Sequence, residues 1–197
     1  MSLSLDYGTY WKENMSEEKW HNFYYNKDGM HLHFHVWYET HKADSVLEVG
    51  CGYGEQARVT FQDQNYTGID LSSNGIDLAK SKNGEANHNF VCGNVMKENT
   101  PLSTYDLVFS INVIDHVPDP NAFIARLIEL ANKQVVIYAY HGFDEESENH
   151  IITVNGTNDC YLNTLSVKEL KRNFDCSIKE FDCGEGKSTI IYVDRVK

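Results

Sequence analysis

Short apolar runs alternate with amphipathic stretches along most of this chain, and the alternation predicts a series of strands and helices. The apolar runs are rich in β-branched residues, which favours strands buried in a sheet. The stretches between them carry helix caps or apolar residues at helical spacing. The predicted strands span residues 45–50, 66–71, 89–92, 106–111, 134–140, 177–181 and 189–196. Helices are predicted over residues 55–64, from Ser72 or Ser73, from Pro120 with Phe123, Leu127, Leu130 and Ala131 on one face, and over 166–174.

Strands that alternate with helices predict an α/β fold with a mainly parallel sheet covered on both faces. Gly184-Glu185-Gly186 separates the last two predicted strands, so these should pair as an antiparallel hairpin. We therefore expect a Rossmann-like, seven-stranded sheet whose last strand is antiparallel. Residues 141–165 are predicted to be a long polar connection. No linker divides the chain, which predicts a single domain over residues 1–197.

The N-terminal segment, residues 1–44, differs in texture from the predicted core at 45–197, because it is rich in aromatic residues and histidines. Ser16 is a predicted helix cap, followed by an acidic first turn. Residues 30–41 fit both strand alternation and helical spacing, and we favour a helix.

Three histidines, His31, His33 and His35, lie in that ambiguous stretch. On a strand all three would share one face, whereas on a helix only His31 and His35 would. Neither a nearby carboxylate nor a cysteine pattern accompanies them, so we expect no metal site and favour substrate contact or surface exposure.

Charge and composition narrow the class of function. The formal net charge of -12 disfavours nucleic-acid backbones and anionic membranes as partners, and no cluster of Lys or Arg is visible. The sequence contains no apolar run of a membrane-spanning helix and no signal-peptide pattern. Five cysteines without a Cys-x-x-Cys pair indicate reduced thiols, and together these features predict a cytoplasmic protein.

A glycine-rich loop at residues 48–54 carries the strongest chemical signal. It reads Glu-Val-Gly-Cys-Gly-Tyr-Gly between a predicted strand and a predicted helix, the context of a nucleotide-binding turn. Asp70, twenty residues after Gly50, ends the next strand, where a carboxylate can accept hydrogen bonds from a ribose. The G-x-G-x-G spacing differs from the G-x-G-x-x-G of dinucleotide sites. The acidic Glu48 suits a cationic ligand better than a pyrophosphate.

The segment VLEVGCGYG closely resembles motif I of class I S-adenosylmethionine-dependent methyltransferases. Further stretches resemble later motifs of that family in the same order: GIDLS at 68–72, FVCGNV at 90–95, YDLVFSINVIDHVPDP at 105–120 and VVIYAY at 135–140. The resemblance implies S-adenosylmethionine as the methyl donor and S-adenosylhomocysteine as the product.

The resemblance also implies roles for individual residues. Glu48 is implied to face the methionine end of the cofactor, next to a turn formed by Gly50, Cys51, Gly52 and Gly54. Asp70 is implied to hold the ribose, with Leu71 near the adenine. Asn94 and Val95 are implied to meet the adenine, although the family more often has Asp at the position of Asn94. Ser110, Ile111 and Asn112 are implied to run past the sulfonium, and Tyr10 or Trp11 to lie near the methionine end, where the N-terminal segment acts as a lid in similar enzymes.

Two histidines are candidates for acid–base chemistry. Methyl transfer is a direct displacement, and a hydroxyl acceptor usually needs a base with a pKa near the working pH. His116 follows the fourth strand and His141 follows the fifth, so both are expected at the ligand-binding rim of the sheet. Packing and helix capping is the alternative role for His116, because relatives often carry Glu-His where this chain has Asp115-His116.

We conclude from the sequence that the chain is a methyltransferase that acts on the oxygen or nitrogen of a small molecule. The end of the fourth strand lacks the Asn/Asp-Pro-Pro-aromatic signature of enzymes that methylate adenine or glutamine nitrogen. A module that binds S-adenosylmethionine without catalysis and an NAD-linked oxidoreductase are the alternatives. The sequence does not indicate the oligomeric state.

Overall fold

A seven-stranded β-sheet forms the centre of the molecule. The computed structural model describes residues 11, 16–25, 29–83, 87–140, 143–155, 160–182 and 187–194. Its strands are β1 (Ser45–Val49), β2 (Asn65–Asp70), β3 (His88–Cys92), β4 (Tyr105–Ile111), β5 (Ala131–Ala139), β6 (Phe143–Asp144), β7 (Ile151–Asn155), β8 (Cys160–Ser166), β9 (Ser177–Asp182) and β10 (Lys187–Asp194). Its α-helices are α1 (Glu17–Tyr25), α2 (Met30–Tyr38), α3 (Glu55–Val59), α4 (Ser73–Asn83), α5 (Pro120–Leu130) and α6 (Val167–Asn173), and a 3₁₀ helix spans Ile114–His116.

The order of the strands confirms the predicted Rossmann-like sheet. It runs β3-β2-β1-β4-β5-β10-β9, and the neighbours from β3 to β5 pair in parallel. Strand β10 pairs antiparallel with both β5 and β9, as the predicted hairpin requires. The strand order reverses between β1 and β4, and open α/β sheets bind ligands beyond the carboxyl ends of the strands at such a point.

Two hydrophobic clusters cover the two faces of this sheet, because successive residues of each strand point to opposite sides. Leu47 and Val49 of β1 belong to the cluster that contains Phe123 and Leu127 of α5. Val46 belongs to the other cluster, with residues of α2, α3 and α4. Helices therefore pack on both faces, as predicted. No helix in the described part of the chain has both the length and the apolar character needed to cross a bilayer.

The interpretation of residues 141–165 as a polar connection is wrong for most of that stretch. Strands β6, β7 and β8 form a second sheet in the order β6-β8-β7, with β7 antiparallel to β8. The apolar residues of β7 are partly exposed, Ile151 at 48% and Val154 at 43%, so no buried alternation marks the strand in the sequence. This second sheet packs against the 3₁₀ helix of the main domain.

Two helix boundaries also differ from the predictions. Helix α3 ends at Val59, because the chain turns so that Phe61 is fully buried against Phe34 and Phe109. Ala131 does not extend α5, since its extended backbone begins β5. Burial in the core and pairing in the sheet thus override the local helical pattern.

Only half of the predicted capping box at the start of α6 forms. The Glu169 amide donates to Ser166 Oγ at 3.1 Å. The Glu169 carboxylate accepts from Asn121 Nδ2 at 2.8 Å and from the His150 amide, while the Ser166 amide donates to His150 Nδ1 at 2.9 Å. The carboxylate therefore joins the segment just before β7 to α5.

The helix predicted over residues 30–41 is present as α2, and it buries Met30, Phe34 and Tyr38. The predicted cap Ser16 accepts a hydrogen bond from the Lys19 amide at 3.3 Å, in front of α1. Of the N-terminal segment, α2 is therefore part of the packed core.

Candidate functional site

A cavity opens at the carboxyl ends of β1, β2 and β4, where the strand order reverses. Twelve of the residues singled out in the sequence line it: Trp11, Glu48, Gly50, Cys51, Gly52, Asp70, Leu71, Asn94, Val95, Ile111, Asn112 and His116. The fold thus brings four separate sequence motifs to one place. Tyr10 and His141 lie outside the described residues.

The glycine loop curves away from β1 with its backbone held by β2. The amides of Gly50 and Cys51 both donate to the Ile69 carbonyl, at 2.8 and 3.2 Å. Gly50 has φ +83°, and a Cβ there would lie 2.2 Å from Cγ2 of Val113. The loop therefore needs glycine at position 50, both for its left-handed backbone and for the close approach of Val113.

The carboxylate of Asp70 sits at the floor of the cavity and supports the loop. Its Oδ2 accepts from the Gly52 amide at 2.9 Å, and its Oδ1 accepts from the Ser72 amide at 2.8 Å. Burial raises the pKa of Asp70, and hydrogen bonds from backbone amides oppose that rise. A carboxylate has about four lone-pair sites, so Asp70 keeps acceptor capacity for a ligand beyond these backbone amides.

Glu48 of β1 and Tyr66 of the neighbouring strand β2 are both buried, and their side chains are in contact. The Tyr66 hydroxyl donates to Glu48 Oε2. The pKa of Glu48 is raised to about 8 as the net result of three causes: burial raises it most, the Tyr66 hydrogen bond opposes the rise, and the charge of Asp70 adds to it. At neutral pH this carboxyl is therefore mostly protonated, and a nearby cation would favour its ionised form.

The loop after β3 forms another wall of the cavity. Asn94 Oδ1 accepts from the Met96 amide at 2.9 Å, and Arg126 Nε of α5 donates to the Val95 carbonyl at 3.0 Å. One lone pair of Asn94 Oδ1 remains for a ligand donor. Arg126 fixes this loop against the main domain.

Asn112, directly after β4, has a backbone that side chains rarely adopt. Its φ is +59°, and its amide donates to the Tyr138 carbonyl at 3.0 Å. Its Oδ1 is buried and accepts no hydrogen bond from the residues that the structure describes. A strained residue with a buried acceptor at a cavity wall is a common feature of ligand sites.

Two of the predicted cofactor residues support the site without lining the cavity. The Ser110 hydroxyl is fully buried and donates to the Val49 carbonyl at 2.9 Å, which ties β4 to β1. Gly54 is the N-cap of α3, where a Cβ would lie 2.9 Å from the Phe90 ring. Their contacts shape the backbone of the strand end and of the loop.

His116 lies at the end of the 3₁₀ helix and lines the cavity. Its Nδ1 is 2.8 Å from the carbonyl oxygen of Tyr161 on β8. The centre of its ring is 5.2 Å from the nearest ring centre of Trp11. The neighbouring Asp115 is fully buried and accepts from the Tyr140 amide at 3.1 Å, so it attaches the 3₁₀ helix to the end of β5.

The three histidines of α2 have separate surroundings. His31 lines the cavity and accepts from Gln56 Nε2 at 3.3 Å. His33 Nδ1 lies 2.8 Å from the Tyr138 hydroxyl, and His35 Nδ1 lies 3.1 Å from Thr60 Oγ1. Burial lowers the pKa of His31 to about 4, although the charge of Glu55 opposes the shift, so the ring is neutral.

Several cavity residues were missed in the sequence. They include Tyr53, Glu55, Met96, Val113, Val117, Phe123 and Tyr140. His31, for which substrate contact was one of the two expected roles, also lines the cavity. Tyr53 lies within the glycine loop and Glu55 directly follows it, so both could have been found from the turn of the chain into α3. Phe123 appeared as a core residue of α5, since helical spacing does not distinguish a core face from a cavity wall.

Comparison with known proteins identifies the central part of the chain. Residues 47–138, just under half of the chain, match the model of the family described as methyltransferase domain. A fatty-acid O-methyltransferase of Mycolicibacterium smegmatis is 33% identical over 85 residues, which cover 42% of this chain and 31% of that protein. A ubiquinone biosynthesis O-methyltransferase of Coxiella burnetii is 31% identical over 94 residues, 46% of this chain and 40% of the other. The matches span less than half the length of these relatives.

The whole fold also matches a solved methyltransferase. The crystal structure of magnesium protoporphyrin IX methyltransferase from Synechocystis PCC 6803 with bound S-adenosylmethionine superposes with a TM-score of 0.70. The alignment covers 100% of both chains at 16% sequence identity. The fold is therefore the Rossmann-like fold of class I methyltransferases.

Proposed function

We propose that this methyltransferase domain transfers a methyl group from S-adenosylmethionine to a hydroxyl group of a small molecule. The observation that carries the donor assignment is the pair formed by the glycine loop and Asp70 at the reversal of the strand order. The imidazole of His116, held by β8 at the same cavity, supports the hydroxyl acceptor.

The residues that line the cavity fit the parts of S-adenosylmethionine. The remaining acceptor capacity of Asp70 suits the ribose hydroxyls, and Asn94 Oδ1 suits the adenine amino group. The buried Oδ1 of Asn112 and the carboxyl of Glu48 suit the ammonium group of the methionine end. When bound, the cofactor supplies a methyl group activated by its sulfonium.

Charge distinguishes this donor from NAD. Three acidic side chains and no Lys or Arg line the cavity in the described part of the chain; the acids are Glu48, Asp70 and Glu55, which is paired with Arg58. A pyrophosphate would therefore meet no basic side chain that neutralises it, whereas a cation would favour the ionised form of Glu48 and would be stabilised by it. Calorimetric titration should therefore give measurable binding of S-adenosylmethionine and S-adenosylhomocysteine. Tighter binding of NAD than of either compound would overturn the donor assignment.

The hydrogen bond of His116 supports its role as the base for a hydroxyl acceptor. A carbonyl oxygen only accepts, so Nδ1 carries the hydrogen and the neutral ring holds its lone pair on Nε2. Nε2 takes the proton of the acceptor hydroxyl as the new carbon–oxygen bond forms. An amine acceptor attacks without such a base, so hydroxyl compounds are the first to test.

Replacement of His116 by alanine is expected to lower kcat for hydroxyl acceptors about 10²–10⁴-fold, because general-base catalysis is lost. The affinity for S-adenosylhomocysteine should change little, since the cofactor contacts remain. Transfer of a radiolabelled methyl group to a panel of hydroxyl, carboxyl and amine compounds measures the rate. His21→Ala, on the exposed side of α1, is the matched control. A wild-type rate in the His116 variant would remove the base from the proposal.

The acceptor is proposed to be a small molecule, in line with the acidic character of the chain. The location is proposed to be the cytoplasm. The described cysteines, Cys51, Cys92, Cys160 and Cys176, are free thiols. Reduced thiols support a reducing compartment. If none of the panel accepts a methyl group while S-adenosylmethionine binds tightly, the alternative of a non-catalytic binding module gains support.

A further inference from the structure

The 3₁₀ helix that carries His116 depends on the second sheet for its conformation. Such a short helix satisfies few of its own carbonyl groups, and here the His116 amide donates to the Val113 carbonyl at 2.9 Å. The side chain of Asn163 on β8 reaches both ends of the helix. Its Nδ2 donates to the Ile114 carbonyl at 2.9 Å and to the Val117 carbonyl at 2.7 Å.

Asn163 uses both of its donor hydrogens in this contact, and its side chain is almost fully buried at 1% exposure. Its Oδ1 is also buried, and none of the described residues donates to it. An unsatisfied buried acceptor lowers the stability of the folded protein. Among the described residues, Asn163 thus keeps one unsatisfied atom, Oδ1, while its Nδ2 group donates to two carbonyls of the 3₁₀ helix. This combination indicates that the function of the side chain lies in its two donated hydrogen bonds.

The same strand also holds the imidazole itself. Tyr161 lies two residues before Asn163, so the two residues share one side of β8. The Tyr161 carbonyl accepts from His116 Nδ1, and the Asn163 amide holds the backbone on either side of His116. Strand β8 thus fixes the imidazole by its ring and by the backbone that carries it.

We propose that Asn163 is a positioning residue that holds the His116 ring against the Tyr161 carbonyl and thereby keeps Nε2 as the proton acceptor toward the cavity. The inference deepens the proposed function, because it rests on His116 as the base for a hydroxyl acceptor. It also assigns a role to the second sheet: β8 orients the imidazole on a 3₁₀ helix that Asp115 attaches to the end of β5.

The tautomer of His116 tests this proposal without any acceptor. Histidine labelled with ¹⁵N reports by NMR which ring nitrogen carries the hydrogen, and the His116→Ala variant identifies the His116 signals. In the wild type, the neutral ring should carry its hydrogen on Nδ1. A wild-type ring with its hydrogen on Nε2 would overturn the proposal whatever the variants show.

The Asn163→Ala variant should convert this single tautomer into a mixture, because the backbone around His116 loses both side-chain hydrogen bonds. Asn163→Ser, which keeps one hydroxyl donor, is the milder change if the alanine variant does not fold. The control is Asn65→Ala, since Asn65 is exposed at the start of β2, away from the carboxyl ends of the strands. A wild-type tautomer in a folded Asn163 variant would contradict the positioning role.

Rates then separate this inference from the function on which it rests. If Asn163 acts through His116, the Asn163→Ala change should lower kcat in the wild-type background and have little further effect in His116→Ala. A full effect in both backgrounds would mean that Asn163 only supports the fold. If His116→Ala keeps the wild-type rate while the tautomer of His116 still depends on Asn163, the proposed base fails but the positioning by β8 stands.

Discussion

Replacing Asp70 with alanine is expected to weaken the binding of S-adenosylhomocysteine by about 10²–10⁴-fold, because two charge-assisted hydrogen bonds are lost at about 1.5–3 kcal/mol each. Asp70 also holds the loop, since it accepts from the Gly52 and Ser72 amides. Its removal therefore affects both the proposed ribose contact and the backbone around it. Isothermal titration calorimetry with S-adenosylhomocysteine measures the loss directly.

Two further variants separate these roles of Asp70. Asp70→Asn keeps the shape and one side-chain oxygen, so it should weaken binding less than alanine. Asp77→Ala removes an acid from the exposed side of α4 and should leave the affinity unchanged. The unfolding temperature shows whether the loop variant remains folded. Wild-type affinity in a folded Asp70→Ala variant would contradict the ribose assignment.

The main sheet and the position of the site could be predicted because their signals are local. The run from Ser45 into the glycine loop places a strand, a turn and a helix start within a dozen residues. The parallel arrangement then brings the ends of β1, β2 and β4 together without any further information. This is why most of the predicted cofactor residues, drawn from four motifs, line one cavity.

The second sheet could not be predicted, because its stability comes from distant contacts. Strand β7 exposes most of its apolar side chains, and β8 carries the buried polar residue Asn163 in its middle. The partners of that residue, Ile114 and Val117, lie nearly fifty positions earlier in the chain. The residues of β8 do alternate in burial from Tyr161 to Leu165, but one of the buried positions is the polar Asn163, so the composition indicated a loop.

The chemistry of individual side chains was hidden for the same reason. The sequence indicated His116 as a candidate, but its tautomer depends on the Tyr161 carbonyl, 45 positions away. It indicated Glu48 as an acid near a cationic ligand, but its protonation depends on burial and on the hydroxyl of Tyr66 on the neighbouring strand. Residue types predict which chemistry a site can perform, whereas tertiary contacts set the tautomer and the protonation of its side chains before a ligand binds.

That state has a measurable consequence for Glu48. The pKa of Glu48 is raised from 4.5 to about 8, mainly by burial. Between these values the folded protein keeps a proton that the unfolded chain has released, so this group makes stability fall as the pH rises through that window. Binding of a cation beside the carboxyl should release the proton, and the affinity for S-adenosylmethionine should therefore increase from pH 6 to pH 8.

Glu48→Gln is expected to raise the stability of the protein at alkaline pH and to lower its affinity for S-adenosylmethionine. At pH 9 the variant should unfold at a temperature higher than that of the wild type by roughly 5–10 °C, because an amide is buried in place of a carboxylate. At pH 5 the two proteins should differ much less, since the wild-type carboxyl is then protonated.

The variant should bind S-adenosylmethionine about 10–100-fold more weakly at pH 8, with little pH dependence, because a charge-assisted contact is lost. Glu18→Gln on the exposed side of α1 is the control, and an equal difference in unfolding temperature at both pH values would show that Glu48 ionises normally in the folded protein.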